Sequence, residues 1–313
     1  MNRIASGEVA RLAEVREGAG RRALITGLRG FTGHYLAREL DAAGYRVFGT
    51  ALPKEDAGPD VFAVDLCDRA AVGDMIGRVA PDVVAHLAGI AFVGHADAGQ
   101  IYRVNVAGTR NLLEALAAGA HKPSSVLLAS SANIYGNARV PVIDEDVAPM
   151  PANDYAVSKL AMEYMARLWM DQLPITIARP FNYTGVGQGE QFLLPKIVAH
   201  FRKGARHIEL GNLAVARDFS DVRMVAKSYR RLLAAAPGGA AFNICSGQTH
   251  SLQGVIDMMG DIAGYRIEVR VNPAFVRANE VLSLAGSNAR LAGVIGAIEP
   301  TPLADTLRWM YCA

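Results

Sequence analysis

The apolar positions of the first 180 residues fall into short runs that alternate with longer amphipathic segments. The short runs have the length and the Val, Ile and Leu content of buried strands, and the longer segments repeat apolar residues at helical spacing. Strands that alternate with helices pair in parallel through right-handed crossovers. The pattern therefore predicts an α/β fold with a doubly wound parallel sheet. The predicted elements are the strands Ala23–Thr26, Tyr45–Thr50, Val83–Leu87, Val126–Ser130 and Ile175–Ala178, and the helices Phe31–Ala43, Arg69–Val79, Ala98–Ala118 and Tyr155–Leu168.

The alternation breaks down after Pro180. A helix over Val225–Ala235 and a strand over Ala241–Cys245 resume it, and the chain beyond is expected to be irregular up to a last helix near Leu303–Met310. We therefore predict a large lobe and a smaller interleaved C-terminal lobe, with ligands bound between them, outside the carboxyl ends of the strands. The predicted division gives residues 21–181 plus about 217–246 to the large lobe, residues 182–216 plus about 247–313 to the smaller lobe, and residues 1–20 to an N-terminal extension.

Composition and charge argue against several classes of protein. Of the 313 residues 51% are apolar, and the formal net charge of +2 gives no indication of a nucleic-acid partner. No apolar run approaches the ~18 residues of a membrane helix, so no membrane partner is expected. Cys67, Cys245 and Cys312 lie far apart, and the seven histidines share no metal-ligand spacing. We therefore expect reduced thiols, a cytoplasmic location and no bound metal.

A glycine-rich turn follows the first predicted strand and opens the first helix. Gly27, Gly30 and Gly33 have the spacing GxxGxxG, which allows a sharp turn, a close approach of phosphates to the backbone, and tight packing of helix against strand. The backbone N–H groups of Phe31 and Thr32 would then face a pyrophosphate at the helix N-terminus. A purely structural turn is the alternative interpretation. The turn predicts a site for a nicotinamide dinucleotide.

Two further segments support a dinucleotide site. Asp65-Leu66 could bond an adenine amino group, and Leu87-Ala88-Gly89, at the end of a strand, could line the pyrophosphate and a ribose. NAD(H) would call for an acidic residue at the end of the second strand, where Thr50-Ala51-Leu52 stands instead. Arg29 lies within the turn, near the expected 2′-phosphate, and Lys54 is a second candidate cation. We therefore favour NADP(H) over NAD(H), the alternative being that Arg29 is a solvated loop residue.

The candidate catalytic residues are Ser131, Tyr155 and Lys159. Tyr155 and Lys159 are four residues apart, and so are neighbours on one helix face, while Ser131 closes a predicted strand. We expect the lysine ammonium to lower the pKa of the tyrosine, which would exchange a proton with a carbonyl or carbinol oxygen, and the serine to hydrogen-bond that oxygen. Tyrosine and lysine at this spacing also occur on ordinary helices, so the glycine turn upstream is what favours catalysis.

The chain resembles the extended short-chain dehydrogenases/reductases of the nucleotide-sugar branch, over about residues 21–313. The motifs TGxxGxxG, DL, HLAG, SSxxxYG and YxxxK occur in the order of that family, with Asn105 among them. The second half is the more diagnostic, since RPFNYTGVGQ from Arg179, GNL from Gly211, RDFSDV from Arg217 and NICSG from Asn243 resemble GDP-4-keto-6-deoxy-D-mannose reductases and GDP-mannose 4,6-dehydratases.

The resemblance implies a Rossmann fold, further site residues and a homodimer with a four-helix interface built from the helices at 98–118 and 155–168. It implies cofactor contacts from Asn105 and Pro180, in addition to Tyr155 and Lys159. It also implies a GDP-linked 4-keto-6-deoxy sugar as the ligand of the smaller lobe. The implied substrate-binding residues are Asn133, Asn182, Arg217, Arg277 and Glu280. A surface ion pair is the alternative interpretation of Arg277 and Glu280.

The residues after Ser131 separate the possible reactions. A 4,6-dehydratase needs an acid/base carboxylate just after the Ser or Thr, and Ala132 and Asn133 do not titrate. A 3,5-epimerase/reductase would need a Cys and a His near the sugar, and neither 130–135 nor 182–188 supplies them. Two reactions remain, reduction of the C4 keto group and 4-epimerisation. The resemblance of the second half of the chain to enzymes of GDP-linked sugars favours the reduction. A non-catalytic NADP-binding sensor on the same fold stays open, although a sensor has no need of Tyr155.

Overall fold

The computed structural model describes residues 16–53, 55, 57–91, 97–138, 140–213, 215–275 and 283–313. In chain order the strands are β1 (Arg22–Thr26), β2 (Arg46–Ala51), β3 (Val61–Ala63), β4 (Val83–His86), β5 (Ser125–Ala129), β6 (Ile175–Pro180), β7 (Asn182–Thr184), β8 (His207–Leu210), β9 (Ala216–Asp221), β10 (Ala241–Ile244), β11 (Thr249–Ser251), β12 (Glu268–Val271) and β13 (Ser283–Leu284). The helices are α1 (Phe31–Ala42), α2 (Arg69–Val79), α3 (Ala98–Tyr102), α4 (Thr109–Ala118), α5 (Asp154–Arg167), α6 (Leu193–Arg202), α7 (Val222–Ala235), α8 (Leu252–Ala263), α9 (Ala289–Ile295) and α10 (Leu303–Cys312).

The central sheet has seven parallel strands in the order β10-β6-β5-β4-β1-β2-β3. Alternate residues of β1 face opposite sides, so that Ala23 and Ile25 join one apolar core with α1 and α7, while Leu24 joins a second core with α2, α4 and α5. Burial of both faces explains why the strands are almost continuously apolar. The predicted doubly wound α/β fold is confirmed.

The chain after β6 builds a second, smaller assembly. β9 pairs with β7, β11 and β13, β8 pairs with β12, and a separate apolar core joins α6, α8 and α10. β9, which the predicted division gave to the large lobe, thus pairs in the small sheet, and only α7 and β10 return to the large one. The division into two lobes itself stays a prediction.

The expectation of an irregular region beyond Cys245 was wrong. Ser251 begins α8 by accepting a hydrogen bond from Gly254 N at 3.0 Å, and Leu252, Val255 and Met259 bury one face of the helix. Their spacing of three and four residues is an amphipathic signal that was present in the sequence.

The long helix predicted over residues 98–118 is interrupted. A π-helical turn over Arg103–Gly108 joins α3 to α4. Such turns are rare inside α-helices and concentrate at functional sites. Here the turn carries Asn105 toward the end of β4, where the candidate site lies.

Candidate active site

The glycine turn has the backbone geometry that its sequence predicts. Gly27 has a φ of +73°, and a Cβ there would lie 2.9 Å from Ala88 N and Cα. A Cβ on Gly33 would lie 2.4 Å from Gly27 O and 2.5 Å from Leu28 O. Both contacts are with backbone and therefore cannot be relieved by a side-chain rotation. Only glycine fits these two positions.

The N-terminus of α1 is suited to an anionic ligand. Gly30 is the N-cap, no side-chain hydrogen bond caps the helix there, and its first turn has no acidic residue. Backbone N–H groups at such a terminus, with the positive end of the helix dipole, bind phosphate. The turn thus fits a dinucleotide pyrophosphate, with Gly27, Gly30, Phe31, Thr32 and Gly33 as the residues that could hold it.

Thr50, at the end of β2, supports the glycine turn. Gly27 N donates to its Oγ1 at 3.0 Å and Leu28 N donates to its carbonyl oxygen at 3.2 Å. The carboxylate of Glu55, which follows the strand, accepts from Leu52 N at 3.0 Å. Arg29 lies exposed within the turn, and Lys54 falls outside the described residues.

Two other predicted cofactor segments lie at the same edge of the sheet. Asp65 accepts a hydrogen bond from Cys67 N at 2.9 Å, which shapes the turn after β3, and Leu66 is buried. The segment Leu87-Ala88-Gly89 leaves β4, and Ala88 N donates to Thr26 Oγ1 at 3.3 Å.

His86, the last residue of β4, is buried, and its hydrogen-bond partners determine its protonation state. Thr109 Oγ1 donates to Asn105 O at 2.7 Å, so it must accept the 2.8 Å bond from His86 Nε2. The other ring nitrogen, Nδ1, then accepts from Thr26 Oγ1 at 2.7 Å. Burial, and secondarily the charge of Lys159, lower the pKa of His86 to about 3. The imidazole is therefore neutral, with its proton on Nε2.

Ser131 and Tyr155 meet as the sequence predicts. Tyr155 lies at the start of α5, where the Asn153 side chain accepts from Ala156 N at 2.9 Å and so caps the helix. Ser131 hydrogen-bonds the Tyr155 phenol, which lowers its pKa, but burial has the larger effect and raises that pKa to about 12. The expectation that the lysine would lower the tyrosine pKa was wrong for this state of the site. Desolvation of the phenolate outweighs the favourable contact.

Lys159 lies one turn after Tyr155 and is buried. Its Nζ donates to Ala129 O at the end of β5, at 2.8 Å. Burial lowers the pKa of Lys159 to about 8, against an opposing effect of the Glu163 carboxylate. A Cβ on Gly89 would lie 2.9 Å from Asn105 Oδ1 and 3.4 Å from Lys159 Nζ, so the strand-end backbone closely approaches both side chains.

Both polar atoms of the Asn105 side-chain amide form hydrogen bonds within the protein. Its Oδ1 accepts from Ile90 N at 2.8 Å, and its Nδ2 donates to Ile90 O at 3.2 Å and to Ser158 Oγ at 3.0 Å. It was predicted to contact the cofactor. In this structure its amide joins the segment after β4 to α5, and the predicted cofactor contact stays a prediction. The predicted role of Pro180, the last residue of β6, stays untested.

The predicted substrate-binding residues lie in different elements of the structure and have different hydrogen-bond partners. Asn182, at the start of β7, has a buried Nδ2 with no hydrogen-bond partner among the described residues. Arg217 lies on β9 and donates to Ala216 O at 2.9 Å. Asn133 bonds Ser131, to which it donates from its backbone N and from Nδ2, each at 3.1 Å. Arg277 and Glu280 lie outside the described residues.

Sequence reasoning missed a buried polar network behind the catalytic helix. Glu163 receives two bonds from Arg179, Nε to Oε1 at 3.0 Å and NH2 to Oε2 at 2.6 Å, and a third from Ser130 Oγ. Arg179 also donates to the Tyr135 hydroxyl at 2.8 Å, which donates to Asn243 Oδ1 at 2.8 Å. The available signal was Glu163 at four residues from Lys159, on the same helix face.

A second missed contact joins the cofactor turn to the C-terminal part. The hydroxyls of Thr32 and Tyr183 lie 2.8 Å apart, and the rings of Phe31 and Tyr183 stack with centroids 6.1 Å apart. Tyr183 belongs to β7, which follows β6 of the large sheet directly. The approach of these two regions results from chain topology, which no local pattern reports.

Two negative observations apply to the described residues alone. Among them, no three or more His, Cys, Asp or Glu side chains cluster so as to hold a metal ion. None of their helices is both long and apolar enough to span a bilayer.

Comparison with known proteins assigns the family. The profile of the NAD dependent epimerase/dehydratase family matches residues 23–245, and the chain belongs to that family. The predicted membership of the extended short-chain dehydrogenases/reductases is thereby confirmed.

Two curated relatives are more specific. The chain is similar to the GDP-6-deoxy-D-mannose reductase of Pseudomonas aeruginosa, with 36% identity over 287 residues that cover 88% of this chain and 91% of the relative. It is similar to the GDP-6-deoxy-D-talose 4-dehydrogenase of Aggregatibacter actinomycetemcomitans, with 33% identity over 276 residues that cover 87% of this chain and 90% of the relative.

Two solved structures have the same fold. A crystal structure from Burkholderia cenocepacia J2315, which carries a provisional epimerase name, is 54% identical with a TM-score of 0.89, covering 94% of this chain and 98% of that one. The structure of RMD from Pseudomonas aeruginosa complexed with NADPH is 33% identical with a TM-score of 0.81, covering 93% and 98%.

Proposed function

We propose that the chain reduces the C4 keto group of GDP-4-keto-6-deoxy-D-mannose, giving GDP-D-rhamnose or its C4 epimer GDP-6-deoxy-D-talose. The observation that carries this proposal is a Ser131–Tyr155–Lys159 site in a chain with two GDP-sugar relatives, each matched over about nine-tenths of its length. The names of those relatives describe 6-deoxymannose and 6-deoxytalose, the two C4 epimers that reduction of one 4-keto sugar can form.

The reaction needs one hydride and one proton. When bound, the reduced dinucleotide supplies the hydride to C4. As the new C–H bond forms, the π electrons of the carbonyl move onto O4, and Tyr155 transfers its phenolic proton to that oxygen. A Tyr155 pKa of about 12 keeps the phenol protonated before the transfer. The hydrogen bond from Ser131, which lowers the pKa of Tyr155, stabilises the resulting phenolate, and the phenolate then regains a proton from solvent.

Dehydration and double epimerisation are disfavoured by the residues beside the site. A 4,6-dehydratase must abstract the C5 proton and expel the C6 hydroxyl, for which it needs a carboxylate or its equivalent near the sugar. The 3₁₀ turn after Ser131 begins with Ala132 and Asn133, neither of which can exchange that proton. Reduction at C4 needs only the proton donor and the hydrogen-bond donor that Tyr155 and Ser131 supply.

The experiment that tests this proposal is product analysis. The purified chain is incubated with GDP-4-keto-6-deoxy-D-mannose and NADPH, and the sugar product is identified by NMR. We expect one NADPH to be consumed for each keto sugar, with GDP-D-rhamnose or GDP-6-deoxy-D-talose as the product. Conversion of GDP-mannose itself into a keto sugar would instead identify a dehydratase.

4-Epimerisation is the second candidate, favoured by the epimerase name of the structure that is 54% identical. An epimerase oxidises and re-reduces the same carbon, so it leaves the amount of reduced cofactor unchanged. We therefore include GDP-D-rhamnose alone as a substrate in the same assay. Its interconversion with the C4 epimer, without net change of cofactor absorbance, would favour the epimerase.

A sensor that binds cofactor without turnover is tested by Tyr155→Phe. For the enzyme, we expect loss of ~10²–10⁴-fold in turnover with cofactor affinity retained, the range typical of a missing proton donor. The matched control is Tyr135→Phe, because that phenol is also buried, with its pKa raised to about 12 by burial, but bonds Asn243 and Arg179. No turnover of any keto sugar by the wild type would favour the sensor.

We further propose NADP(H) as the preferred cofactor. The backbone and side chain of Thr50 accept from the glycine turn. The residues that end β2 and follow it directly, Thr50, Ala51 and Leu52, have no carboxylate of their own to bind a ribose 2′-OH. Arg29 is exposed in the turn, and the RMD structure contains NADPH. We expect Arg29→Ala to raise the KM for NADPH while leaving that for NADH unchanged. An unchanged ratio of the KM for NADPH to the KM for NADH would contradict the proposed role of Arg29.

The sugar diphosphate is proposed to lie beside Asn182 and Arg217, with Arg277 and Glu280 as further candidates on the GDP portion. The support is the buried Nδ2 of Asn182, because an amide donor without a partner is costly unless a ligand satisfies it. A guanidinium on β9 suits phosphate oxygens. We expect Asn182→Ala to raise the KM for the keto sugar without weakening NADPH binding.

We propose a homodimer formed through α5. Val157, Tyr164 and Leu168 are exposed and, seven and four residues apart, share one helix face. Tyr164 is 55% and Leu168 is 76% exposed, which is unusual for large apolar side chains on one face. We expect a dimer in light scattering and a monomer for Leu168→Glu. A monomeric wild type would contradict the interface.

A cytoplasmic location is proposed from the thiols. Cys67, Cys245 and Cys312 are free, and burial raises the pKa of the Cys245 thiol, so that it is unreactive. Free cysteines are typical of a reducing compartment. Retention of three titratable thiols in unfolded protein isolated without reductant supports this location.

A further inference from the structure

Ser131 has a hydrogen-bond arrangement that determines the direction in which its hydroxyl points. Asn133 donates to Ser131 Oγ twice, from backbone N and from side-chain Nδ2, and both distances are 3.1 Å. A serine hydroxyl has two lone pairs and one proton. With both lone pairs occupied by N–H groups of Asn133, the Ser131 oxygen has only its proton left to offer. That proton is available to the Tyr155 phenol, to which Ser131 is hydrogen-bonded.

The local backbone makes this arrangement stable. Ser131 has extended backbone (φ −162°) and is the N-cap of the 3₁₀ turn Ala132–Tyr135, so the bond from Asn133 N is a capping bond. Ser131 is 5% exposed and Ala132 is 1% exposed, which keeps water from competing for the serine oxygen. The Nδ2 bond adds a second donor that depends on the side chain at position 133 alone.

We propose that Asn133 is a positioning residue that commits the Ser131 hydroxyl to act as a hydrogen-bond donor, toward the Tyr155 phenol in this structure and toward the substrate oxygen once a keto sugar is bound. This inference rests on the proposed function, because a donor at this point favours the negative charge that grows on O4 as a ketone is reduced. A carboxylate at position 133 would do the opposite, since it accepts the serine proton and turns it away from the reacting oxygen. Asn133 thus both excludes dehydration chemistry and directs the serine toward carbonyl reduction.

The test is a double-mutant cycle on kcat for the keto sugar. Removing the serine donor by Ser131→Ala is expected to lower kcat by about 10²-fold, as for other donors to a developing oxyanion. Asn133→Asp turns the serine proton toward the new carboxylate, so we expect it to lower kcat by about 10²-fold as well. Asn133→Ala keeps the hydrogen bond from the backbone N of residue 133 to Ser131 Oγ, so we expect kcat to fall by only about 3- to 10-fold. In the Ser131→Ala background neither change at position 133 should lower kcat further.

A role of Asn133 as a direct sugar contact gives a different pattern. Substitution of Asn133 would then raise the KM for the keto sugar and leave kcat unchanged. The effect would also be the same with and without the Ser131 hydroxyl. Either result would overturn the proposal. Asn137→Ala is the matched control, because that asparagine is exposed on the segment just after the same turn and should behave as wild type.

A readout without substrate separates failure of this inference from failure of the proposed function. The Asn133 side-chain N–H protons, assigned by their loss in Asn133→Asp, should exchange slowly with solvent in wild type and faster in Ser131→Ala. If the wild type does not reduce the keto sugar, the proposed function fails while slow exchange still supports the arrangement. Exchange that is fast in wild type, or unchanged in Ser131→Ala, overturns the inference whatever the activity.

Discussion

Arg179 of β6 and Glu163 of α5, one turn after Lys159, form a two-point ion pair, with Nε–Oε1 at 3.0 Å and NH2–Oε2 at 2.6 Å. Side-chain exposures of 6% and 1% put the pair in the interior. Buried ion pairs add little to stability as a whole, but loss of one partner leaves an uncompensated charge. The pair also links the end of β6 to the face of α5 that bears Lys159, so its integrity matters for the site.

We predict that Glu163→Gln destabilises the protein by about 3–5 kcal/mol, because the Arg179 charge then lacks its partner in the interior. Urea unfolding followed by circular dichroism measures the change. The control is Glu190→Gln, in an ion pair with Lys203 whose side chains are 61% and 66% exposed, where little change is expected. Equal effects of the two substitutions would contradict a buried role for Glu163.

The lowered pKa of Lys159 predicts a specific pH dependence of stability. Burial lowers that pKa from 10.5 to about 8, so between these values the unfolded chain binds a proton that the folded chain does not. The free energy of unfolding contributed by this residue therefore rises with pH from about 8 to 10.5, and by about 3 kcal/mol in total. Below pH 8 the folded state carries the full cost of a buried charge.

Lys159→Met removes that dependence. We expect the variant to exceed the wild type in stability below pH 8, and the difference to shrink as pH rises toward 10.5. Urea unfolding of both proteins at several pH values measures this. Parallel stability curves over that interval would show that Lys159 titrates as it does in the unfolded chain.

The contacts of Gly33 predict a selective loss of cofactor binding. Gly33→Ala places a Cβ 2.4 Å from Gly27 O, so the glycine turn must shift away from α1. We expect NADPH binding, measured by calorimetry, to weaken at least tenfold, which corresponds to about 1.4 kcal/mol. Gly73→Ala in α2 is the matched control, since nothing lies within 4 Å of the added methyl. That control should bind NADPH normally and gain up to about 1 kcal/mol of stability from helix propensity.

His86 predicts a tautomer. Its neighbours require the neutral ring with a proton on Nε2, and its pKa, lowered to about 3 mainly by burial, predicts no protonation in the folded state between pH 5 and 8. The free energy of unfolding should accordingly fall as pH drops below 6.5, because only the unfolded histidine then binds a proton. Nitrogen-15 NMR of the imidazoles measures the tautomer, with exposed His34 as the internal reference. A protonated ring, or a proton on Nδ1, would refute the assignment.

Much of this molecule was predictable because local patterns carry the information. The alternation of apolar runs and amphipathic segments predicted the large sheet, and the boundaries of β5 and α5 were each within one residue of those observed. The glycine turn was equally predictable, since a positive φ at Gly27 and backbone contacts at Gly33 admit only one residue type. Ser131 and Tyr155 were also predicted together, because parallel strands bring their carboxyl ends to one edge of the sheet.

The errors have physical causes of their own. The sign of the Tyr155 pKa shift depends on desolvation, which requires knowledge of everything packed around the phenol. The π-helical turn that directs the amide of Asn105 to Ile90 and Ser158 was not predicted within the helix at 98–118. Helix α8 was missed although its apolar spacing was readable in the sequence.

The sequence alone thus determined the fold class, the glycine turn and the chemical identity of the Ser131, Tyr155 and Lys159 side chains, because each depends on residues close together in the chain. Only the tertiary structure decided how those side chains are protonated and which way their hydrogen bonds run. The Arg179–Glu163 pair, the neutral His86 and the Asn133–Ser131 bonds join groups whose partners and burial result from the packed fold. Electrostatics in a protein interior depends on that packing, and residue order does not report it.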